Sequence, residues 1–229
     1  MRHLASMRVG LAALATGLGF AGGAAAGDAE GVAVTLPRPR AEGEVSVERA
    51  LALRRSVREF SDAPIGLDAV SQLLWAAQGI TGPEGLRTAP SAGALYPLEV
   101  YLIAGAVSGL AAGIHHYDPQ RHRIVPTVLE DVRAATLKAA LEQRWIADAP
   151  AILVLAAVQE RTARKYGARA ARYVQMEVGH AAQNVYLQAA ALGLGTCMVG
   201  AFHDEQLKEI LQLPDEVEVL ALMPVGRPR

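Results

Sequence analysis

The chain has 229 residues, a formal net charge of −1 and one cysteine. That length allows one domain, or one domain with a processed extension, and it buries enough surface to need neither a disulfide framework nor a structural metal. The 52% hydrophobic content and near-neutral charge exclude intrinsic disorder and a strongly basic nucleic-acid binder, so any anion site must be local.

Arg2, His3 and Arg8 flank an apolar run of Ala, Leu and Gly from Val9 to Phe20, and Ala24-Ala25-Ala26 before Gly27 fits the small-residue cleavage rule. Residues 1–26 therefore read as a signal peptide. The alternative is a retained membrane anchor, which weakly hydrophobic Ala and Gly serve poorly. No twin arginine precedes the run, so general export to the periplasm or medium is expected, with no stable membrane span after cleavage. Cys197 then has no intramolecular partner and is expected to be buried. Residues 27–45, with Leu36-Pro37-Arg38-Pro39-Arg40, read as an extended linker, and residues 46–229 as the folded domain.

From Ser46, the apolar spacing of Val47, Ala50, Leu51 and Leu53 predicts a helix ending near Arg55, and Leu67 to Gly79 predicts a second, closed by Gly79. Gly82 to Gly93 reads as a loop and Leu98 to Ala104 as an apolar strand. Asp118-Pro119-Gln120 is a turn between strands at Ile114 to Tyr117 and Arg123 to Thr127. A helix from Leu129 to Arg144 and a buried strand from Ala151 to Val158 follow. Tyr173 to Leu192 is apolar nearly all round, which predicts a central core helix ended by Gly193 and Gly195. Met198 to Phe202 is expected as a short strand, His203 to Leu211 as a helix and Val217 to Val225 as the last strand. The irregular alternation of strands and helices predicts an α+β domain rather than a doubly wound one.

Arg54, Arg55, Ser56 and Arg58 form the densest local charge, able either to clamp a phosphate through bidentate, charge-assisted hydrogen bonds or to serve as a solvated helix end. Ala89-Pro90-Ser91-Ala92-Gly93 superficially matches a nucleophile elbow, but no strand precedes it. A Ser-Ala-Gly loop instead lets backbone approach a flat ligand. Gly193-Leu194-Gly195-Thr196 follows a helix and precedes a strand, the reverse of a dinucleotide fingerprint. Glu177 and His180 have the spacing of a di-iron pair without a second copy, and His115, His116 and His122 read as surface residues, so no metal site is expected.

Arg54-Arg55-Ser56-Val57-Arg58-Glu59-Phe60, Ala89 to Gly93, and the long helix running into Gly193-Leu194-Gly195-Thr196-Cys197, in this order, resemble the FMN-dependent nitroreductase superfamily. Leu74-Trp75-Ala76-Ala77-Gln78-Gly79, Arg87 to Pro97, Tyr117-Asp118-Pro119, Lys165-Tyr166-Gly167 and the closing Pro224-Val225-Gly226-Arg227-Pro228 are similar to its SagB/ThcOx-type branch, the azoline dehydrogenases of peptide-modifying clusters. The resemblance spans about Ser46 to Arg229. It implies an α+β fold with a central, mainly antiparallel sheet surrounded by helices, a long buried core helix, and a homodimer with FMN at the subunit interface. Carried over by position, Arg54, Ser56 and Arg58 would hold the FMN phosphate with Arg55 adjacent, and Arg227 would return to it. Pro90, Ser91 and Ala92 would lie against the isoalloxazine, Leu194, Gly195 and Thr196 would approach it with backbone groups, and Lys165 and Tyr166 would be the acid/base pair. Ala94 and Tyr96 depart from the Asn and Gln of many members, and the C-terminal arm of many relatives is expected to be absent or very short. The expected activity is hydride transfer from an azoline-like heterocycle to flavin N5. The alternatives are an NAD(P)H-dependent nitro- or quinone reductase and a non-catalytic flavin-binding protein.

Overall fold

The computed structural model describes residues 32–229; the expected signal segment lies outside the described residues. The strands are β1 (Val34–Thr35), β2 (Ile65–Gly66), β3 (Leu98–Ala104), β4 (Val107–Ser108), β5 (Gly113–Asp118), β6 (Arg123–Val128), β7 (Ala151–Ala157), β8 (Gly195–Thr196) and β9 (Glu218–Gly226). The helices are α1 (Val47–Leu53), α2 (Leu67–Gln78), α3 (Arg133–Ala139), α4 (Trp145–Asp148), α5 (Gln159–Tyr166), α6 (Ala170–Ala191) and α7 (Asp204–Leu211). Seven strands form one sheet in the order β1-β6-β5-β3-β7-β9-β8, every neighbouring pair antiparallel. β2 and β4 make a separate parallel pair.

The sheet is the middle of three layers, and strand alternation decides which side chain enters which core. Leu153 and Leu155 of β7 pack with Leu73, Leu74, Val178 and Val185 of α2 and α6 on one face. Ile152 and Val154 pack with Ala139, Ile146 and Leu207 of α3, α4 and α7 on the other. With both faces covered, β7 is buried at every residue and reads as a continuous apolar run. Cys197 is buried, as expected. Among the described residues no helix is long and apolar enough to cross a membrane.

From Val32 onward, the segment read as a linker is extended, and it is tied to the body. Val34 and Thr35 pair with β6, Leu36 is buried, Ser71 Oγ donates to Pro37 O at 2.6 Å, and Gln72 bonds both the N–H and the C=O of Arg40. Elsewhere the structure departs from the sequence expectation: α5, β1, β2 and β4 are additional elements, and others are redrawn. The helix expected from Leu129 to Arg144 is replaced by α3 and α4, with Leu141 and Glu142 at positive φ between them. The reversal lets Arg133 donate to Ala149 O at 2.9 Å while it pairs with Asp131, closing α3 against the end of α4. The strand expected at Met198 to Phe202 falls earlier, at Gly195–Thr196, and only Val199 of the expected stretch bridges to Leu222. Met198 N is taken by the Tyr186 hydroxyl instead of a strand partner.

The long helix begins at Ala170, and a single 3-10 turn at Gly167–Arg169 joins it to α5. It is not buried all round. Val174, Glu177, Val178, Ala181, Val185 and Ala189 face the sheet, whereas Met176, Gly179, His180 and Gln183 are exposed.

Candidate active site

Two clusters form on opposite sides of α6. The first lies where α1 ends. Arg54 leaves the helix in an extended conformation, and the chain then runs beside β8, with Ser56 bridged to Thr196 and Val57 N donating to Thr196 O at 3.0 Å. The pairing needs glycine at 195, because a Cβ there would lie 2.6 Å from the Val57 Cβ. Leu194, Gly195 and Thr196 are thereby brought to Arg54 and Ser56. Ser56 Oγ lies 3.3 Å from the Tyr186 hydroxyl, and the Arg54 guanidinium sits 5.3 Å above the Tyr186 ring. A cleft of about 340 Å³ opens here, lined by Arg54, Arg55, Tyr186, Leu194 and Thr196. The buried Thr196 hydroxyl has no hydrogen-bond partner among the described residues, a polar group left for something to satisfy.

The guanidiniums of this motif do not converge. Arg55 turns back onto α1, donating to Ala52 O and Arg54 O at 3.0 and 2.7 Å. Arg58 lies over the Trp145 ring at 5.8 Å, toward α4. Gly226 is the register partner of Gly195, so the exposed Arg227 stands one residue beyond the pair, its carbonyl accepting from Ser61 N.

The second cluster surrounds the Pro90-Ser91-Ala92 loop. Asn184 of α6 donates to Thr88 O, and two turns earlier on the same helix face Glu177 Oε1 accepts from Ala92 N at 2.9 Å. Gly93, Ala94 and Tyr96 all have positive φ, and Ser91 Oγ accepts from Tyr96 N. Lys165 and Tyr166, in the last turn of α5, meet this loop: a Cβ at Gly93 would lie 2.9 Å from both Lys165 Nζ and Tyr166 OH. The Tyr166 ring also packs edge-on against Tyr173, 5.0 Å between centroids, which holds it to the start of α6.

An ion network anchors the far end of the loop. Glu99, the one charge in apolar β3, pairs with Arg161 at 2.5 Å and His116 at 2.6 Å, and Arg161 donates to Tyr96 O at 3.2 Å. Burial opposes ionisation of Glu99, but the His116 hydrogen bond and the Arg161 charge outweigh it and hold its carboxyl below the usual value. Arg87 lies 4.6 Å over the Tyr96 ring and donates to Gln78. Burial pushes the Glu177 carboxyl upward, against the Ala92 N–H and Ser91 bonds that favour its charge.

Tyr186, Glu99, Arg161 and the role of Glu177 escape a reading of the sequence motifs. Glu99 had a signal, a carboxylate inside a buried apolar strand. Tyr186 had none, since tyrosine on a core helix usually packs. The histidines are not all at the surface: His115 is buried and bonds Ala111 O, while His122 Nε2 lies 2.7 Å from Ser71 Oγ and its Nδ1 2.9 Å from the Tyr117 hydroxyl. Among the described residues no group of His, Cys, Asp and Glu is arranged to hold a metal. A larger cleft of about 450 Å³, between residues 40–47, α2 and α6, is lined by Trp75, Ala76 and Thr88 but by none of the residues expected to hold FMN or to act as acid and base.

A model of the nitroreductase family matches residues 51–227. The chain is 50% identical over 184 residues to MJ1384 of Methanocaldococcus jannaschii, described as a nitroreductase, covering 80% of this chain and 92% of that one. It is 25% identical over 146 residues to the trifolitoxin-processing protein TfxB of Rhizobium leguminosarum bv. trifolii, covering 60% of this chain and 38% of TfxB. A crystal structure from Ralstonia eutropha, also described as a nitroreductase, superposes with a TM-score of 0.76 at 32% identity, over 86% of this chain and 90% of that one. With the antiparallel sheet, the long helix and the glycine-threonine strand beside Ser56 in place, the chain belongs to the nitroreductase family of oxidoreductases.

Proposed function

We propose that this chain is an FMN-dependent dehydrogenase of the SagB/ThcOx type, acting on azoline-like heterocycles as an exported homodimer. The observation that carries this reading is the convergence of Lys165 Nζ and Tyr166 OH on Gly93, beside the loop expected to face the flavin. The residues fit FMN: Arg54 and Ser56 offer charge-assisted donors to a phosphate, and the unpartnered Thr196 hydroxyl lies beside them. Bound FMN would supply the hydride acceptor at N5. Lys165, with Tyr166 beside it, takes the proton that an azoline loses as its hydride departs, so two electrons and two protons leave the ring in all. The similarity to TfxB, a toxin-processing protein, supports the peptide-modifying branch.

One chain cannot surround a flavin with both clusters. Glu177 and Tyr186 are nine residues apart on α6, hence half a turn out of phase, with the exposed stripe of Met176, Gly179, His180 and Gln183 between them. A second copy packed on that stripe would bring the loop of one chain to the Arg54 cleft of the other. Val47, Leu51 and Leu53 of α1 are exposed apolar side chains, and Met176 adds another on the stripe itself. The likeness to MJ1384 favours a second reading, a reductase of nitro compounds or quinones.

Flavin titration and turnover test these readings. Purified protein should bind about one FMN per chain; a colourless protein that takes up no added FMN overturns both. Arg54→Ala should weaken FMN binding at least tenfold, about the worth of one charge-assisted hydrogen bond. Lys165→Ala should keep FMN but lose oxidation of a thiazoline peptide; unchanged oxidation removes the acid/base role. Fractionation of cells making the full chain tests export.

A further inference from the structure

Glu177 is a buried charge that the chemistry above does not use. It is 4% exposed on the sheet-facing side of α6, among Val174, Val178 and Ala181, where an apolar residue would pack without desolvation cost. A buried carboxylate is costly unless it is hydrogen-bonded, so its partner matters. That partner is the backbone N–H of Ala92, at 2.9 Å, with Ser91 also within its reach. His180 and Arg87 add only attraction at longer range.

The loop that Glu177 holds is under strain. Gly93, Ala94 and Tyr96 have φ of 62°, 54° and 47°, and two of the three are not glycine. Each left-handed non-glycine residue costs about 1 kcal/mol, so a free loop would relax away from this shape. Besides the turn's own backbone bonds, from Ala94 N to Ser91 O and from Leu95 N to Ala92 O, three side-chain bonds oppose that relaxation: Ser91 Oγ to Tyr96 N, Arg161 to Tyr96 O, and Glu177 to Ala92 N. Only the last comes from α6, the helix that separates the two clusters, and it acts next to the residues expected to lie against the flavin.

We propose that Glu177 is a positioning residue for the flavin: by accepting the Ala92 N–H bond it holds the Ser91–Tyr96 loop in its left-handed, ligand-ready shape. The inference rests on the FMN reading and deepens it. The acceptor oxygen does the work rather than the charge, which separates two substitutions. Glu177→Gln keeps an acceptor of the same reach; Glu177→Ala leaves Ala92 N without one.

FMN dissociation constants, read from quenching of flavin fluorescence, test this alongside circular dichroism of the apo-protein. Glu177→Gln should bind within threefold of wild type. Glu177→Ala should bind at least tenfold more weakly at a temperature where its apo-form is folded. Should that variant fail to fold, Ala92→Pro removes the donor instead, at the first position of a helical turn, where proline is tolerated. It should lose similar affinity, and where both fold, the double variant should lose no more than either single one. FMN binding within threefold by a folded Glu177→Ala, or by Ala92→Pro, overturns the proposal by making the bond merely structural. A Gln variant as weak as Ala, or losses that add, overturns it by assigning the effect to charge. A wild-type chain that binds no FMN overturns the FMN reading and this inference together, and is seen before any variant is made.

Discussion

Glu99 shows how one residue in an apolar strand organises chemistry several residues away. Its carboxylate binds Arg161 on α5, one turn before Lys165, and Arg161 in turn holds Tyr96 O at the end of the strained loop. Glu99 thus ties the helix carrying the Lys165-Tyr166 pair to the loop that the pair faces. Because the folded-state carboxyl is held below its unfolded value of about 4.3, its contribution is fully present above that value and is lost as pH falls through the folded one. Glu99→Gln should therefore cost about 1–2 kcal/mol at pH 7, and the gap to wild type should narrow in urea melts as the pH is lowered into the acid range. A gap that does not change with pH down to the acid unfolding of the wild type would show that packing, not the ion pair, is what the substitution removes.

Among the elements, α6 carries the most. Its sheet-facing stripe builds the core under β3, β7 and β9, while its flanks carry Glu177 and Asn184 toward the loop and Tyr186 toward the Arg54 cleft. Its outer stripe is left to solvent, and Gly179 lies in it with nothing within 4 Å of where a Cβ would stand. A glycine in mid-helix forfeits about 1 kcal/mol against alanine, so close approach of another helix is the physical reason to keep it. If the proposed dimer packs on this stripe, Gly179→Leu leaves the melting temperature of the separated chain unchanged or raised, yet abolishes association in sedimentation experiments. A variant that still associates like wild type places the contact between copies on another surface.

At the scale of the whole molecule, the proposed dimer makes the two clusters half-sites. Arg54, Ser56 and Thr196 stand on one side of α6, and Gly93, Lys165 and Tyr166 on the other. If two chains share each flavin, Arg54→Ala and Lys165→Ala fail separately and complement each other when mixed. In the mixed pair, one of the two sites joins an intact Arg54 from one chain to an intact Lys165 from the other. Refolding the two variants together should restore about a quarter of wild-type turnover, since statistically half the pairs are mixed and each carries one intact site. Zero recovery would mean that both clusters serve the same site within one chain.

Much of this was legible in the chain itself. Apolar spacing located α1, α2, α7 and the long strands, because burying one face of a helix or strand leaves its period in the sequence. The order of the Arg-Arg-Ser, Pro-Ser-Ala-Gly and Gly-Leu-Gly-Thr motifs marked the family, because each depends on local backbone geometry. The break between α3 and α4 was not legible, since Leu141 and Glu142 take positive φ only to let Arg133 close on Ala149. Nor was the divergence of Arg54, Arg55 and Arg58: spacing counts guanidiniums, but Tyr186, the end of α1 and Trp145 each claim one. Residue type and period were enough to mark the Arg54–Arg58 motif, the Ser91–Gly93 loop, the Lys165-Tyr166 pair and the buried strands, because each leaves a local pattern in the chain. The placement of the clusters on opposite sides of α6, and the meeting of Glu177 with Ala92, came from how that helix packs. Contacts between residues 85 positions apart are made by the packing of a helix against a loop, which no local pattern records.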